Sequence, residues 1–207
     1  MAKITKISAQ VKNKSRVNVF LDDEFFCGLD AFVAQRNRLK EGEEIEREKL
    51  IDIQRESEAQ TMFEKCVDYI NIRYRTEKEM CTYLADKGFL GEVRDEIIAR
   101  LREYSLIDDA RFCELFISSH RRAWGVKRLR LELKKHGVSD EDIELALEET
   151  EPQHEEALAC AQKFCRTKKG YDRNKLYAHL FSKGFDSDCI SYAVHEYEEM
   201  TANENDE

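Results

Sequence analysis

Leu84-Ala85-Asp86-Lys87-Gly88-Phe89 returns twice further along the chain, as Leu133-Lys134-Lys135-His136-Gly137-Val138 and as Leu180-Phe181-Ser182-Lys183-Gly184-Phe185. The three glycines stand 49 and 47 residues apart. Eight residues before them stand Met80, Leu129 and Leu176, and ten after them Ile98, Leu147 and Val194. Apolar columns held at near-constant spacing signal a tandem repeat of helical units. The leucine fits the last turn of a helix, and the glycine closes that turn because it takes the left-handed conformation at little cost. The apolar residue after it then folds back on the helix.

Working outward from each glycine gives three helices per unit. Second helices are expected over about 76–87, 126–136 and 172–183, and third helices over about 92–104, 140–150 and 187–200. First helices over about 58–72, 109–123 and 153–168 carry apolar residues at helical spacing, for example Phe63, Cys66, Val67 and Ile70. Thr76-Glu77-Lys78-Glu79 reads as a capping box, Asp108 or Asp109 and Ser139 as caps of later helices. Pro152 is expected in the first turn of the helix that opens the third unit, where its missing N–H costs nothing.

Ahead of the repeats the period is two, not 3.6. Val17, Val19 and Leu21 alternate with Arg16, Asn18 and Phe20, and Asp22-Asp23 before Phe25-Phe26 predicts a hairpin turn. A short helix is expected near 29–38, then a charged, partly helical connector over 41–58. The fold class is therefore mainly α: a tandem array of three three-helix repeats preceded by a small β-rich N-terminal segment. The expected divisions are 1–57 for the hairpin segment and connector, 58–107, 108–151 and 152–200 for the repeats, and 201–207 for a disordered acidic tail.

Composition agrees with slender helical modules. Hydrophobic residues make up 42% and charged residues 37%, with one proline to interrupt a helix. No apolar run follows the basic N-terminus and none is long enough to span a bilayer, so neither export nor a membrane partner is expected. Seven cysteines at irregular spacing read as reduced thiols in a cytoplasm, most of them small core residues.

Nothing in the sequence carries catalysis. The five histidines do not pair with one another or with cysteines at metal-ligand spacing, and His154-Glu155-Glu156 lacks the second histidine of a helical zinc site. Cys160 and Cys165 read as two small residues facing a core. No glycine-rich phosphate loop and no nucleophile elbow is present. No cofactor, no metal and no enzymatic activity are expected.

Charge is the informative feature. The net charge is −9, yet residues 120–136 hold seven Lys and Arg against Glu132 alone, and 163–175 hold six against Asp172 alone. Residues 139–156 hold nine acids and no Lys or Arg. The bases recur at the junction of first and second helices. Arg73, Arg75 and Lys78 stand there in the first repeat. Arg121, Arg122, Trp124, Lys127, Arg128 and Arg130 stand there in the second, and Lys163, Arg166, Lys168, Lys169, Arg173 and Lys175 in the third. Helix dipoles explain bases at helix ends but not their continuation into the next helix start. A cationic stripe that meets phosphates or acidic protein is expected. Trp124 reads equally as a recognition side chain or as cover for an interhelical crevice. Asp108 and Asp109 read first as caps and second as partner contacts.

These residues carry a resemblance. Ile72-Arg73-Tyr74-Arg75-Thr76-Glu77-Lys78-Glu79-Met80, then Leu106-Ile107-Asp108-Asp109-Ala110-Arg111-Phe112, then Trp124-Gly125-Val126-Lys127-Arg128-Leu129, resemble the signatures of the RecX family of bacterial recombinase regulators. The likeness runs over about 58–198, is weakest in the third repeat, and does not reach the β-rich segment. It implies tandem three-helix repeats that lie in the groove of the RecA–single-stranded DNA filament. It further implies restraint of RecA's recombinase, ATPase and coprotease activities. Arg73, Arg75, Asp108, Asp109, Gly125 and Arg128 are signature positions by the same likeness. A monomer that contacts RecA, with single- or double-stranded DNA met through the basic junctions, is the expected state. The other reading is a direct DNA binder built of helix-turn-helix-like repeats, although no helix carries a cluster suited to reading base edges.

Overall fold

The computed structural model describes residues 1–148, 152–167 and 172–205, which form two compact units. The first unit comprises Met1–Arg73 and Lys87–Leu106. Strands β1 (Ala2–Ala9), β2 (Arg16–Leu21), β3 (Glu24–Asp30) and β4 (Glu44–Ile45) form an antiparallel sheet in the order β3-β2-β1-β4. The hairpin turn falls at Asp22-Asp23, both with positive φ (49° and 69°), as the twist of a tight hairpin favours. Ile4, Val19, Leu21 and Leu29 of the strands are buried with Val33 of α1 (Ala31–Arg36) and with Leu50 and Ile53 of α2 (Arg47–Ile72).

Helix α2 corrects one expectation. The connector and the first helix of repeat one are a single helix of 26 residues. Its front part belongs to the N-terminal core, because Ser57 is fully buried and its Oγ accepts the Asp30 N–H at 2.5 Å. Asp30 in turn caps α1 through the N–H groups of Phe32 and Val33. Further along α2, the Arg100 guanidinium of α4 (Gly91–Glu103) lies 4.1 Å from the Phe63 ring.

The second unit comprises Tyr74–Asp86 and Ile107–Glu207. It holds α3 (Glu77–Asp86), α5 (Asp109–His120), α6 (Val126–His136), α7 (Asp140–Glu148), α8 (His154–Thr167), α9 (Arg173–Ser182) and α10 (Ser187–Asn205). Helix α3, which sequence assigns to repeat one, is thus grouped with repeats two and three. Helix α10 runs to Asn205, into the stretch expected as a tail. Pro152 lies ahead of α8, two residues before its first helical residue, and not in its first turn.

The three glycines have φ of +85°, +87° and +88°, the left-handed value the repeat requires. The leucines four residues before them, and Met80, Leu129 and Leu176, are at most 1% exposed. Repeat two closes on Phe112, Cys113, Ile117, Leu129, Leu133 and Ile143, and repeat three on Ala157, Ala161, Leu176, Leu180, Phe185 and Ile190. Cys27, Cys66, Cys113 and Cys189 are buried, and burial raises their thiols to about 11 or, for Cys113, about 12.

Candidate functional site: the junction of repeats two and three

Helix ends carry backbone groups with no partner inside the helix. Here the ends of successive second helices satisfy one another. At the start of α6, the Gly125 N–H donates to the Lys183 carbonyl at 2.9 Å, and the Lys127 N–H to the Gly184 carbonyl at 3.1 Å. Gly184 leaves no room for a side chain there: a Cβ would stand 2.5 Å from the Arg128 backbone nitrogen. The start of α3 repeats the arrangement on the turn that ends α6. Thr76 Oγ donates to the His136 carbonyl at 2.7 Å, and Lys78 occupies the space a Cβ on Gly137 would need.

This joint decides where the expected site residues go. Arg121 is tied to repeat three: its guanidinium meets Glu156 of α8 at 2.9 Å. Beside it the Gln153 amide donates to the carbonyls of Arg121 and Trp124. Trp124 is half-buried and its ring lies 4.4 Å from that of His120, nearly parallel, with the Arg128 guanidinium 4.6 Å from the indole. Trp124 therefore covers the core of repeat two. Lys127 lies over Phe181 at 5.8 Å. Arg130 is directed to α7, where Glu144 receives it in a bidentate pair at 2.9 and 2.8 Å. Lys134 likewise meets Asp140, so the acids of α7 neutralise much of the base on α6.

The aspartates act as caps. Asp108 accepts the Arg111 N–H and opens α5. Asp109 reaches across to α3 and accepts the Glu77 N–H at 2.9 Å. Burial raises the Asp109 carboxyl above the usual aspartate range, and that bond partly offsets the rise. Of the capping box, Thr76 Oγ accepts the Glu79 N–H at 3.2 Å, while Glu79 Oε1 lies 3.0 Å from His136 Nδ1. Arg73 is the extended, exposed residue that ends α2, and Arg75 is half-buried. Arg173 at the start of α9 lies 3.7 Å from Glu198. Lys168 and Lys169 fall outside the described residues.

Between the end of α5 and repeat three lies an open groove of about 340 Å³. Ala123, Ala159, Cys160 and Phe164 form its apolar surface. Arg122, Lys163 and Lys183 also line it, and among the described residues none of the three has a carboxylate at ion-pairing distance. The charges of Lys183 and Lys163 both pull the Cys160 thiol down, although burial pushes it up by more. A larger cleft of about 440 Å³ in the first unit lacks this character, since Arg36, Arg55 and Arg100 stand there with Asp52, Glu56 and Glu96. Sequence reading gave Lys163 its place among the bases but missed Lys183, whose position before the glycine reads as an ordinary cationic helix end. Among the described residues no three His, Cys, Asp or Glu side chains converge as a metal site would need, and no helix is long and apolar enough to cross a membrane.

Comparison with known proteins covers both the repeats and the strands. Residues 2–46 match the regulatory protein RecX N-terminal domain, 63–101 the first three-helix domain of RecX, and 108–147 the second. The β-rich segment is thus a family feature. The regulatory protein RecX of Bacillus pumilus (strain SAFR-032) is 36% identical over 204 residues, covering 95% of this chain and 78% of that protein. That of Bacillus subtilis (strain 168) is 34% identical over 212 residues, covering 99% and 79%. A crystal structure of regulatory protein RecX matches with a TM-score of 0.77 at 28% identity, over 93% of this chain and 98% of its own. With relatives this similar over nearly its whole length, the chain belongs to the RecX family.

Proposed function

We propose that this protein binds the RecA–single-stranded DNA filament and restrains RecA's recombinase, ATPase and coprotease activities. One observation carries the reading beyond family membership. In a chain of net charge −9, Arg122, Lys163 and Lys183 gather at one repeat junction without carboxylate partners among the described residues. Unpaired cations beside apolar surface suit an acidic partner, and they set its orientation more than its raw affinity. Arg128, Lys127 and Arg173 lie on the same two repeats and extend the contact, while Arg121, Arg130, Asp108 and Asp109 hold the repeats in place. The protein works in the cytoplasm as a single copy and needs no cofactor.

The test is RecA's DNA-dependent ATPase and strand exchange with the purified protein in stoichiometric excess. Both should fall, and unchanged rates would sink the reading. A DNA-binding titration without RecA separates the direct DNA binder. Tight binding with a steep loss of affinity in salt would favour that class, because each phosphate contact releases counterions. Binding that requires RecA favours the regulator.

A further inference from the structure

We propose that the groove between α5 and repeat three receives an acidic protein segment, which inserts one apolar side chain between flanking carboxylates. The proposal rests on the reading that this face meets a protein partner, and it adds what that partner must present.

The groove has two chemistries in two places. Most of its surface is apolar, and Ala123, Ala159, Cys160 and Phe164 are among the residues that line it. Its volume, about 340 Å³, falls at the small end of ligand clefts and suits a large side chain with its neighbouring backbone. The neutral polar groups there are already engaged. Thr167 Oγ donates to the Phe164 carbonyl at 2.8 Å, and the His179 ring is stacked on Phe164 with centroids 4.2 Å apart. His179 Nε2 also lies 3.9 Å from Cys160 Sγ. Among the described residues, these two neutral groups are thus already occupied.

Charge comes from Arg122, Lys163 and Lys183, on three separate segments: the turn after α5, the C-terminal part of α8 and the turn after α9. Long cationic side chains lay their methylenes along apolar surface and keep their tips in water. They can therefore meet carboxylates on either side of an inserted apolar residue. A nucleic-acid strand fits less well. Its backbone carries charge far beyond the groove, where it meets a protein of net charge −9 and the acid-rich α7 and α10. A short segment with a few carboxylates responds mainly to charges within a Debye length.

The experiment uses the full chain and fluorescence anisotropy. The probe is a short labelled peptide with one phenylalanine among aspartates and glutamates. A matched peptide has serine for the phenylalanine, and a labelled oligothymidylate of similar length represents nucleic acid. Ala159 is exposed, so Ala159→Trp should fill the groove without disturbing the core, as a thermal melt would check. Lys163→Glu with Lys183→Glu reverses the rim by surface changes. The phenylalanine peptide should bind, and the serine peptide and both variants should each lose about tenfold or more. Affinity unchanged in both variants, or preference for the oligothymidylate, would overturn the proposal.

RecA ATPase measured on the same variants separates the two readings. Restraint of RecA that survives when peptide binding is lost overturns the groove as a partner site and leaves the proposed function standing. Absence of restraint by the unaltered protein overturns that function, whereas the peptide titration still decides the groove's chemistry.

Discussion

Gly125 has a φ of −76°, a value any residue adopts, so its missing side chain serves space and not backbone freedom. A Cβ there would lie 2.1 Å from the Phe185 nitrogen and 2.3 Å from the Gly184 oxygen. Gly125→Ala should therefore push α6 off the turn and cost about 2–3 kcal/mol in urea unfolding. Gly88→Ala is the contrasting case, since nothing lies within 4 Å of its added methyl. Only the positive φ opposes it, and a loss of about 1 kcal/mol is expected. Equal losses for the two would refute the account. Asp109 offers a second pair. Asp109→Ala removes the acceptor of the Glu77 N–H and should cost about 1 kcal/mol. Asp109→Asn keeps an acceptor without the buried charge. Because the folded-state carboxyl sits above its ordinary value, the native protein holds the extra proton between the two. Its stability contribution then falls as pH rises through that interval. Relative to the native chain, Asp109→Asn should gain over the same interval, as parallel urea titrations at several pH values would reveal.

At the scale of the element, repeat two is tied to repeat three through both backbone and side chains. The Arg121–Glu156 pair, with side chains 32% and 19% exposed, is partly shielded from water. A double-mutant cycle on Arg121→Ala and Glu156→Ala should return a coupling of about 0.5–1 kcal/mol, since partial exposure screens it. A coupling near zero would leave the backbone joint as the main tie. Helix boundaries were largely readable in advance, and the reason is local: the glycines and the Asp108 cap act within one turn. The 126–136 helix is found as expected, and the other second helices differ by a residue or so. The early start of α2 was hidden. Eight acids in 41–58 mask the few buried positions, Leu50, Ile53 and Ser57, which pack on strands distant in sequence. The joint was hidden more deeply. Between α6 and the turn after α9 it is made of backbone N–H and C=O groups, which all residues but proline own, so only its need for small residues leaves a mark. Trp124, open to two readings from sequence, is fixed by stacking on His120, a contact that depends on the α5–α6 turn.

For the whole molecule, the segregation of charge matters more than its total. Acids of α7 pair with two of the bases of α6, Arg130 and Lys134, so a count of bases along the chain overstates what a partner can meet. If the proposed function holds, binding to the filament should weaken only gently as salt rises from about 0.05 to about 0.3 M. Reversing Lys163 and Lys183 should make that dependence shallower still, which binding isotherms at several salt concentrations can establish. A steep dependence would mean that phosphates are met directly, against the acidic protein segment proposed for the groove. The helix-to-helix joint has a consequence for how such a chain grows. Its two halves differ, one offering carbonyls and the other donors (backbone N–H groups at Gly125 and Lys127, the hydroxyl at Thr76), so a duplicated unit can be joined in one direction only. Thr76 and Gly125 occupy the offering position in the two joints formed. The matching position of repeat three is Asp172, whose carboxylate accepts the Lys175 N–H at 3.1 Å. That negative charge would face the carbonyls of any incoming turn and repel them. A unit joined to the start of α9 in the same way would need a donor where this carboxylate stands.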